Sequence, residues 1–164
     1  MSIIIDGTGS ISGVSSNGGL SAPQTGSVIQ VVTINNSTLY TTTSTSFIAS
    51  GMSASITPKF STSKILVLAT IAVSQATSSV SAGGAIALYR ATTALQSPQT
   101  YQNFSGSSLL ATSPRWVVPL NYLDSPATTS STTYNIYFAS YQGTQSLSLN
   151  ETIPATITLM EIAG

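Results

Sequence analysis

Short apolar segments and short polar interruptions follow one another along most of this chain. From Ser27 onward, segments rich in Val, Ile, Thr and Tyr are separated by clusters of Gly, Pro, Ser and Asn. This spacing is typical of an all-β sandwich or barrel. No window combines a 3.6-residue apolar period with capping residues, so we expect almost no helix. The predicted strands are Ser27–Ile34, Leu39–Thr42, Ser46–Ala49, Ser53–Thr57, Lys64–Ser74, Ala85–Arg90, Arg115–Tyr122, Thr132–Tyr141 and Ala155–Glu161.

Two of these strands, Lys64–Ser74 and Thr132–Tyr141, are apolar on both faces. A strand covered on one face only is expected to alternate strictly. Because a two-sheet sandwich has no helices to cover a second face, we expect another subunit to cover it, and hence an obligate oligomer. The alternative is a central strand covered by long loops. The candidate subunit-interface residues are Leu66, Leu68, Tyr134, Ile136, Tyr137, Phe138 and Tyr141.

Residues 1–26 differ from the rest of the chain. Gly, Asn and Pro interrupt this stretch every few residues, so no regular element can extend far. We interpret it as an extended N-terminal arm that precedes a sandwich domain at 27–164; the alternative is a disordered leader. Loops are expected at Gln75–Gly84, Gln96–Ser108 and Asp124–Ser131.

The composition excludes most enzyme classes. Only eight of 164 residues are charged, four of each sign, and the chain has no His and no Cys. It therefore cannot build a Ser-His-Asp triad, a Cys nucleophile, a disulfide or a His/Cys zinc site. No cofactor or metal site is expected, and without clustered Lys and Arg there is no electrostatic basis for binding nucleic acid.

The apolar content predicts a folded protein. Hydrophobic residues make up 41% of the chain, the mean hydropathy is +0.31, and Ser and Thr together number 54. No segment is long and apolar enough to span a membrane, and the N-terminus does not have the pattern of a signal peptide. A net charge of zero promotes association, which agrees with an oligomer.

A few polar and aromatic residues remain as candidates for chemistry. Asp124 and Glu151 are the one carboxylate pair that could serve glycoside hydrolysis, although chance placement explains them better. Ion pairs are expected because an unpaired buried charge is costly; the alternative is that all charges are solvated. The residues considered for pairing are Lys59, Lys64, Arg90 and Arg115 with Asp124, Glu151 and Glu161.

Three aromatic residues could contact a sugar by stacking. Tyr101 and Phe104 lie in the long predicted loop, where glycan contact and loop packing are both open. Trp116 lies inside a strand, which favours a place in the core.

Several segments resemble a module that recurs in virion proteins of tailed phages, especially phages of cyanobacteria and marine bacteria. They are Asp6-Gly7-Thr8-Gly9 with Ser12-Gly13, Ile56-Thr57-Pro58-Lys59, Ser61 to Val67, Tyr122-Leu123-Asp124-Ser125-Pro126 with Thr133-Tyr134, and Ile157 to Ile162. No single segment is specific, but their order and spacing match over roughly Val28 to Ile162.

The resemblance implies a jelly-roll-type β-sandwich that assembles as a trimer about an apolar axis and has no catalytic residues. Such domains occur as knobs on capsids and at the tips of tail fibres and tailspikes. Since a fibre normally carries a long shaft and only some 26 residues precede this sandwich, we expect a homotrimeric capsid decoration protein on the outer surface of a phage particle. The alternative is a tail-fibre tip or adhesin that binds host cell-surface polysaccharide.

The expected partners are copies of the chain itself and a major capsid protein or another virion protein, with a host surface glycan as a further possibility. No nucleic acid or membrane is expected as a partner. In this interpretation, residues 1–26 attach the knob to the capsid, with Ile3, Ile4, Ile5, Ile11 and Val14 as the contact candidates.

Overall fold

A computed structural model of the protein describes residues 4–5, 11–12, 23–75, 81–95, 102–107, 115–141, 145–151 and 153–164, with the backbone alone at 4–5, 11–12, 81–82 and 102–107. These residues contain strands and no helix. The strands are β1 (Ile4–Ile5), β2 (Ile11–Ser12), β3 (Val28–Asn36), β4 (Tyr40–Thr42), β5 (Ile48–Ile56), β6 (Lys64–Gln75), β7 (Ser81–Arg90), β8 (Thr93–Ala94), β9 (Gln102–Ser107), β10 (Arg115–Asp124), β11 (Thr132–Ser140), β12 (Leu147–Leu149) and β13 (Ala155–Ile162).

The strands from β3 onward form two antiparallel sheets. In the large sheet, β6 pairs with β10 along one edge, and with β13 and β12 in succession along the other. Strands β3 and β4 extend this sheet beyond β13 and β12. In the small sheet, β11 lies between β5 and β7, and β7 also pairs with β8 and β9. The prediction of an all-β sandwich is confirmed.

The core lies between the two sheets and follows the period-two pattern. In β6 the inward residues are Ile65, Val67, Ala69, Ile71 and Val73, all buried. The facing sheet contributes the inward residues of its three main strands, which are Met52, Ala54, Ile56, Ile86, Leu88, Tyr134, Ile136 and Phe138. Because both sheets present one continuous apolar face, the chain closes a single core without helices.

Strand β5 corrects one prediction. The sequence predicts two strands here, Ser46–Ala49 and Ser53–Thr57, with Gly51 between them. In the structure the strand continues through Gly51, which has a φ of +84°. Asn135 of β11 pairs with Ser53 and Tyr137 pairs with Ala49, so a step of two residues along β11 matches a step of four along β5. The interruption at Gly51 is therefore a β-bulge rather than a turn.

Three short strands of the two main sheets lie where the sequence pattern predicts none. Strand β9 falls inside the expected loop Gln96–Ser108, while β8 and β12 were not predicted at all. The loop expected at Gln75–Gly84 is also too long, because Gln75 ends β6 and 81–84 belong to β7. Strand β9 and residues 81–84 are rich in Ser, Gly, Asn and Gln, and they become strands by pairing with each other in the small sheet.

Candidate functional site: buried charge clusters and an uncovered sheet face

Arg90, Asp124 and Tyr134 form a polar cluster that joins the two sheets. Arg90 ends β7 and Asp124 ends β10, so the strands bring them together from opposite layers. Arg90 Nη1 lies 2.9 Å from both carboxylate oxygens of Asp124. The Tyr134 hydroxyl donates a hydrogen bond of 2.7 Å to Asp124 Oδ2. Asp124 is almost fully buried, and its charge is compensated by a guanidinium and a hydroxyl.

The hydroxyl of Tyr134 is held in its neutral form. Burial raises the pKa of Tyr134, and the hydrogen bond to Asp124 and the negative charge of Asp124 raise it further. The group therefore acts as a permanent donor to the carboxylate rather than as an acid or base at neutral pH. The cluster is a structural connection between sheets.

Glu161 is the second buried carboxylate, and it is held by neutral donors. Its Oε1 accepts from the backbone amides of Lys59 (2.7 Å) and Phe60 (3.3 Å), and its Oε2 accepts from Gln30 Nε2 (2.6 Å). Burial alone would raise the pKa of Glu161, but the hydrogen bonds that its carboxylate accepts, among them those from Gln30 and the two amides, outweigh burial and lower the pKa. This carboxylate fixes the turn between β5 and β6 against β3 and β13.

Arg115 and Glu151 form a solvent-exposed pair, with Arg115 Nη2 3.4 Å from Glu151 Oε2. Asn150 precedes Glu151 and holds it in position. Asn150 adopts a φ of +63°, its backbone N–H donates to Ala72 O at 2.9 Å, and its side-chain amide donates to Thr38 O at 3.1 Å. A shallow pocket of about 120 Å³ lies beside the pair and is lined mainly by apolar side chains together with Trp116.

The expectation of ion pairing is confirmed for Arg90 with Asp124 and for Arg115 with Glu151. The two acids considered for glycoside hydrolysis are thus each engaged with a different arginine. Among the residues that the structure describes, no group of three or more His, Cys, Asp or Glu is placed to hold a metal ion. In the same residues no helix is long and apolar enough to cross a membrane.

The outer face of the large sheet carries an apolar patch that nothing in the chain's described part covers. Strand register places Val31, Met160, Leu66 and Leu123 in one row across β3, β13, β6 and β10. More apolar residues flank this row along the same four strands. We define the apolar patch as Val28, Val31, Leu66, Leu68, Val117, Leu123, Met160 and Ile162.

Five members of the apolar patch are well exposed. Val28, Val31, Leu68, Val117 and Leu123 keep 55%, 52%, 37%, 55% and 50% of their surface accessible, respectively. Complete burial of such a side chain is worth about 1.5–3 kcal/mol relative to water. The sheet therefore carries a substantial apolar surface that another layer could bury.

The polar side chains next to the apolar patch are largely satisfied by one another. Thr33 and Thr158 hydroxyls lie 3.2 Å apart, and Thr156 Oγ1 donates to Asn35 Oδ1 at 3.0 Å. Covering the face would therefore leave fewer unpaired polar groups than its sequence suggests.

The predicted interface residues divide into three sets. Leu66 and Leu68 lie on the outer face of the large sheet, in the apolar patch. Tyr134, Ile136 and Phe138 have 0%, 0% and 1% of their surface exposed, because the facing sheet already covers them. They belong to the core of one chain and offer no surface to a second one, which corrects their assignment as interface candidates.

Tyr137 and Tyr141 complete the set. Tyr137 is half-buried on the outer face of the small sheet, where its ring stacks on Tyr89 with 3.8 Å between centroids. Tyr141 follows β11 and is 62% exposed. The inward residues of Thr132–Tyr141 therefore pack in the core, while Tyr137 lies on the outer face of the small sheet. No neighbouring subunit is needed to bury the inward residues.

Most other candidates lie at or beyond the limits of the described residues. The backbone of Ile4 and Ile5 pairs with that of Ile11 and Ser12. Ile3, Val14 and Tyr101 lie outside the described residues, and for Phe104 only the backbone is described, in β9 paired with Gly84. Trp116 is partly buried and borders the pocket.

Sequence reasoning missed the six members of the apolar patch on strands other than β6, namely Val28, Val31, Val117, Leu123, Met160 and Ile162. A signal was available for the four of them on β3 and β13. In Val28–Ile34 and in Ile157–Ile162, apolar residues fall on both faces, as they do in β6. Only the register shows that these second faces adjoin one another.

The polar cluster between the sheets generates a stability prediction. Replacing Tyr134 by Phe removes a hydrogen bond to a buried carboxylate, which typically contributes about 1.5–3 kcal/mol. We expect Tyr134→Phe to lower the free energy of unfolding by about that amount in chemical denaturation. The matched variant Tyr137→Phe keeps its ring stack and is expected to change stability by less than about 0.5 kcal/mol. Equal effects of the two variants would contradict the role assigned to the cluster.

Glu161 generates a pH prediction. Because the pKa of Glu161 is lowered in the folded protein, its contribution to stability is complete above the ordinary glutamate pKa of about 4.3. That contribution is lost as the pH falls through the lowered pKa. Glu161→Gln is expected to cost about 2–4 kcal/mol at neutral pH, because one amide cannot accept from every donor.

The measurement is the free energy of unfolding as a function of pH for both proteins. The difference between wild type and Glu161→Gln is expected to shrink on acidification. Glu151→Gln, in the exposed pair, is expected to cost less than about 1 kcal/mol. A cost for Glu161→Gln that does not vary with pH would show that the carboxylate charge is not what stabilises the turn.

Comparison with known proteins gives a limited result. No family model and no curated protein matches the sequence. Among solved structures, this chain is similar to chains of infectious bursal disease virus: in the T13 viral particle (14% identity, TM-score 0.42), in virus-derived T=1 particles (15%, 0.42) and in the VP2 subviral particle (13%, 0.41). Each match covers 82% of this chain but only 36–37% of the viral one, so this chain spans about a third of the length of those it resembles.

Proposed function

We propose that this protein is a non-enzymatic structural subunit of a phage particle: a homotrimeric decoration protein on the outer surface of the capsid, with a jelly-roll-type sandwich as its knob. The sequence resemblance to tailed-phage virion modules supports this function. The observation that carries it is the uncharged apolar patch on the large sheet, which no described residue covers and which suits a subunit that works in an assembly.

The use of the charged residues supports a structural role. Among the described residues, Arg90, Asp124 and Glu161 serve internal connections, and Arg115 pairs with Glu151 at the surface. General acid–base catalysis needs a titratable group within hydrogen-bond reach of the proton that it transfers. The described carboxylates are instead occupied by arginines, amides or a hydroxyl.

The pocket beside Arg115 and Glu151 favours a second candidate function. A small apolar pocket with an aromatic side chain and a few polar groups is the usual form of a ligand site. On this ground the alternative is a tail-fibre tip or adhesin that binds host polysaccharide.

The position of the protein on the particle separates these candidates. We expect immunogold labelling and quantitative mass spectrometry of purified virions to find many copies distributed over the capsid. A few copies confined to the tail would replace decoration by the adhesin function. Absence from the virion would overturn both.

The proposed arm generates a separate prediction. Deleting residues 1–20 is expected to abolish binding to capsids that lack the protein, while the far-ultraviolet circular dichroism and the oligomer mass stay unchanged. Binding is measured by co-sedimentation with the capsids. Full-length protein is the positive control. Capsid binding retained by the truncated protein would show that the arm is not the attachment element.

A further inference from the structure

We infer that Pro119 prevents strand β10 from pairing, edge to edge, with the β10 strand of another copy of the chain. Strand β10 forms one margin of the large sheet: its ten residues all pair with β6, and no other described strand lies along its second edge. An open edge presents a row of unpaired N–H and C=O groups to which another strand can add. The role assigned to Pro119 does not depend on where the protein works.

The backbone direction of β6 shows which groups of β10 face the open edge. Val73 of β6 pairs with β10 on one side and with β12 on the other. The N–H of Asn150, just after β12, donates to Ala72 O at 2.9 Å, so Ala72 directs its backbone groups away from β10. In an antiparallel pair the residue opposite does the same. Val117, the partner of Ala72, therefore directs its N–H and C=O to the open edge.

Every second residue of β10 faces this edge, because the direction alternates along a strand and the register with β6 is unbroken. These residues are Arg115, Val117, Pro119, Asn121 and Leu123. Four of them offer both a donor and an acceptor to an incoming strand. Pro119, in the middle of the row, offers a carbonyl only, because its nitrogen bears a ring carbon in place of the hydrogen. That ring carbon also projects to where the incoming strand would lie.

The other features that protect a sheet edge are missing from β10 itself. Natural sheets protect their edges with short strands, charged residues, bulges or proline. Strand β10 is ten residues long, has no bulge against β6, and carries no charge between Arg115 and Asp124. Apart from Pro119, residues 116–122 have the composition of an aggregation-prone strand: apolar and aromatic residues with high β propensity and no charge. Of the four features, only the proline is present.

The other margins of the large sheet are protected in different ways. Strand β4 has only three residues. Strand β3 has nine, but it also contacts β5 of the facing sheet, and Gln30 Nε2 on β3 donates to Thr57 O at 2.7 Å. No described strand except β10 contains a proline. Among the described strands of this sheet, the longest open edge is thus the one that carries it.

Pro119→Thr in the full-length protein tests this role, because threonine restores the N–H and has a high β propensity. Each copy regains the donor at the centre of its edge. We expect self-association to become at least roughly tenfold stronger than that of the wild type, as measured by sedimentation velocity over a concentration series. Asn121→Thr is the matched control: it adds the same side chain at an edge-facing position that already has its N–H, and it is expected to behave as the wild type.

A compensating substitution and amide exchange identify the edge as the place of association. Adding Asn121→Pro to Pro119→Thr moves the proline along the same edge and is expected to restore the wild-type behaviour. In the wild type, the amides of Val117 and Asn121 are expected to exchange with solvent at least roughly a hundredfold faster than those of Val118 and Leu120, which face β6. In associated Pro119→Thr protein, we expect the Val117 and Asn121 amides to become protected.

Four results would overturn the role of Pro119. They are a Pro119→Thr protein that associates no more strongly than the wild type, equal association of Asn121→Thr, associated Pro119→Thr protein whose Val117 amide still exchanges fast, and slow exchange of that amide in the wild type. The last result would show that another segment or copy already pairs with this edge. Pro119→Ala restores the same N–H and replaces Pro119→Thr in the test if the threonine variant does not fold.

Discussion

A β-sheet has two faces, and in the part of this chain that the structure describes each sheet covers only one face of the other. The two remaining outer faces differ in the side chains that they carry. The outer face of the small sheet carries hydroxyls, amides and the stacked rings of Tyr89 and Tyr137. The outer face of the large sheet carries the apolar patch. The two sides of the molecule therefore differ in polarity, although charged residues are few throughout the sequence.

The two layers are held in register by a small number of polar contacts in addition to the core. Asp124 reaches from the large sheet to Arg90 and Tyr134 on the small one, and Glu161 holds the turn that leads from β5 to β6. With so few charged residues, each buried one has an assigned partner. A polar contact of this kind specifies one relative position of the sheets, whereas apolar side chains alone tolerate several.

The class of the fold and most strands could be predicted from the sequence because both depend on local alternation. Ile65 to Val73 and Tyr134 to Phe138 carry that signal strongly. Strand β9 could not be predicted, since its Gln, Asn, Ser and Gly residues become a strand only beside the exposed edge of β7. The pairing of Arg90 with Asp124 was open for the same reason: residues distant in sequence meet only after the layers are stacked. The two-sided pattern in Thr132–Tyr141 misled because its second face carries a local Tyr–Tyr stack, while the similar pattern in β6 marks a face that no described residue covers.

The lack of charge on the apolar patch has a consequence for how an assembly built on it responds to its surroundings. Salt screens interactions between charges over distances of about 10 Å or less at 0.1 M and above, and this face has almost nothing to screen. Its association would be nearly indifferent to ionic strength and would respond mainly to temperature, since hydrophobic contacts weaken on cooling. Contacts of this kind would tolerate dilution into fresh or saline water equally, and chilling is the condition that would loosen them.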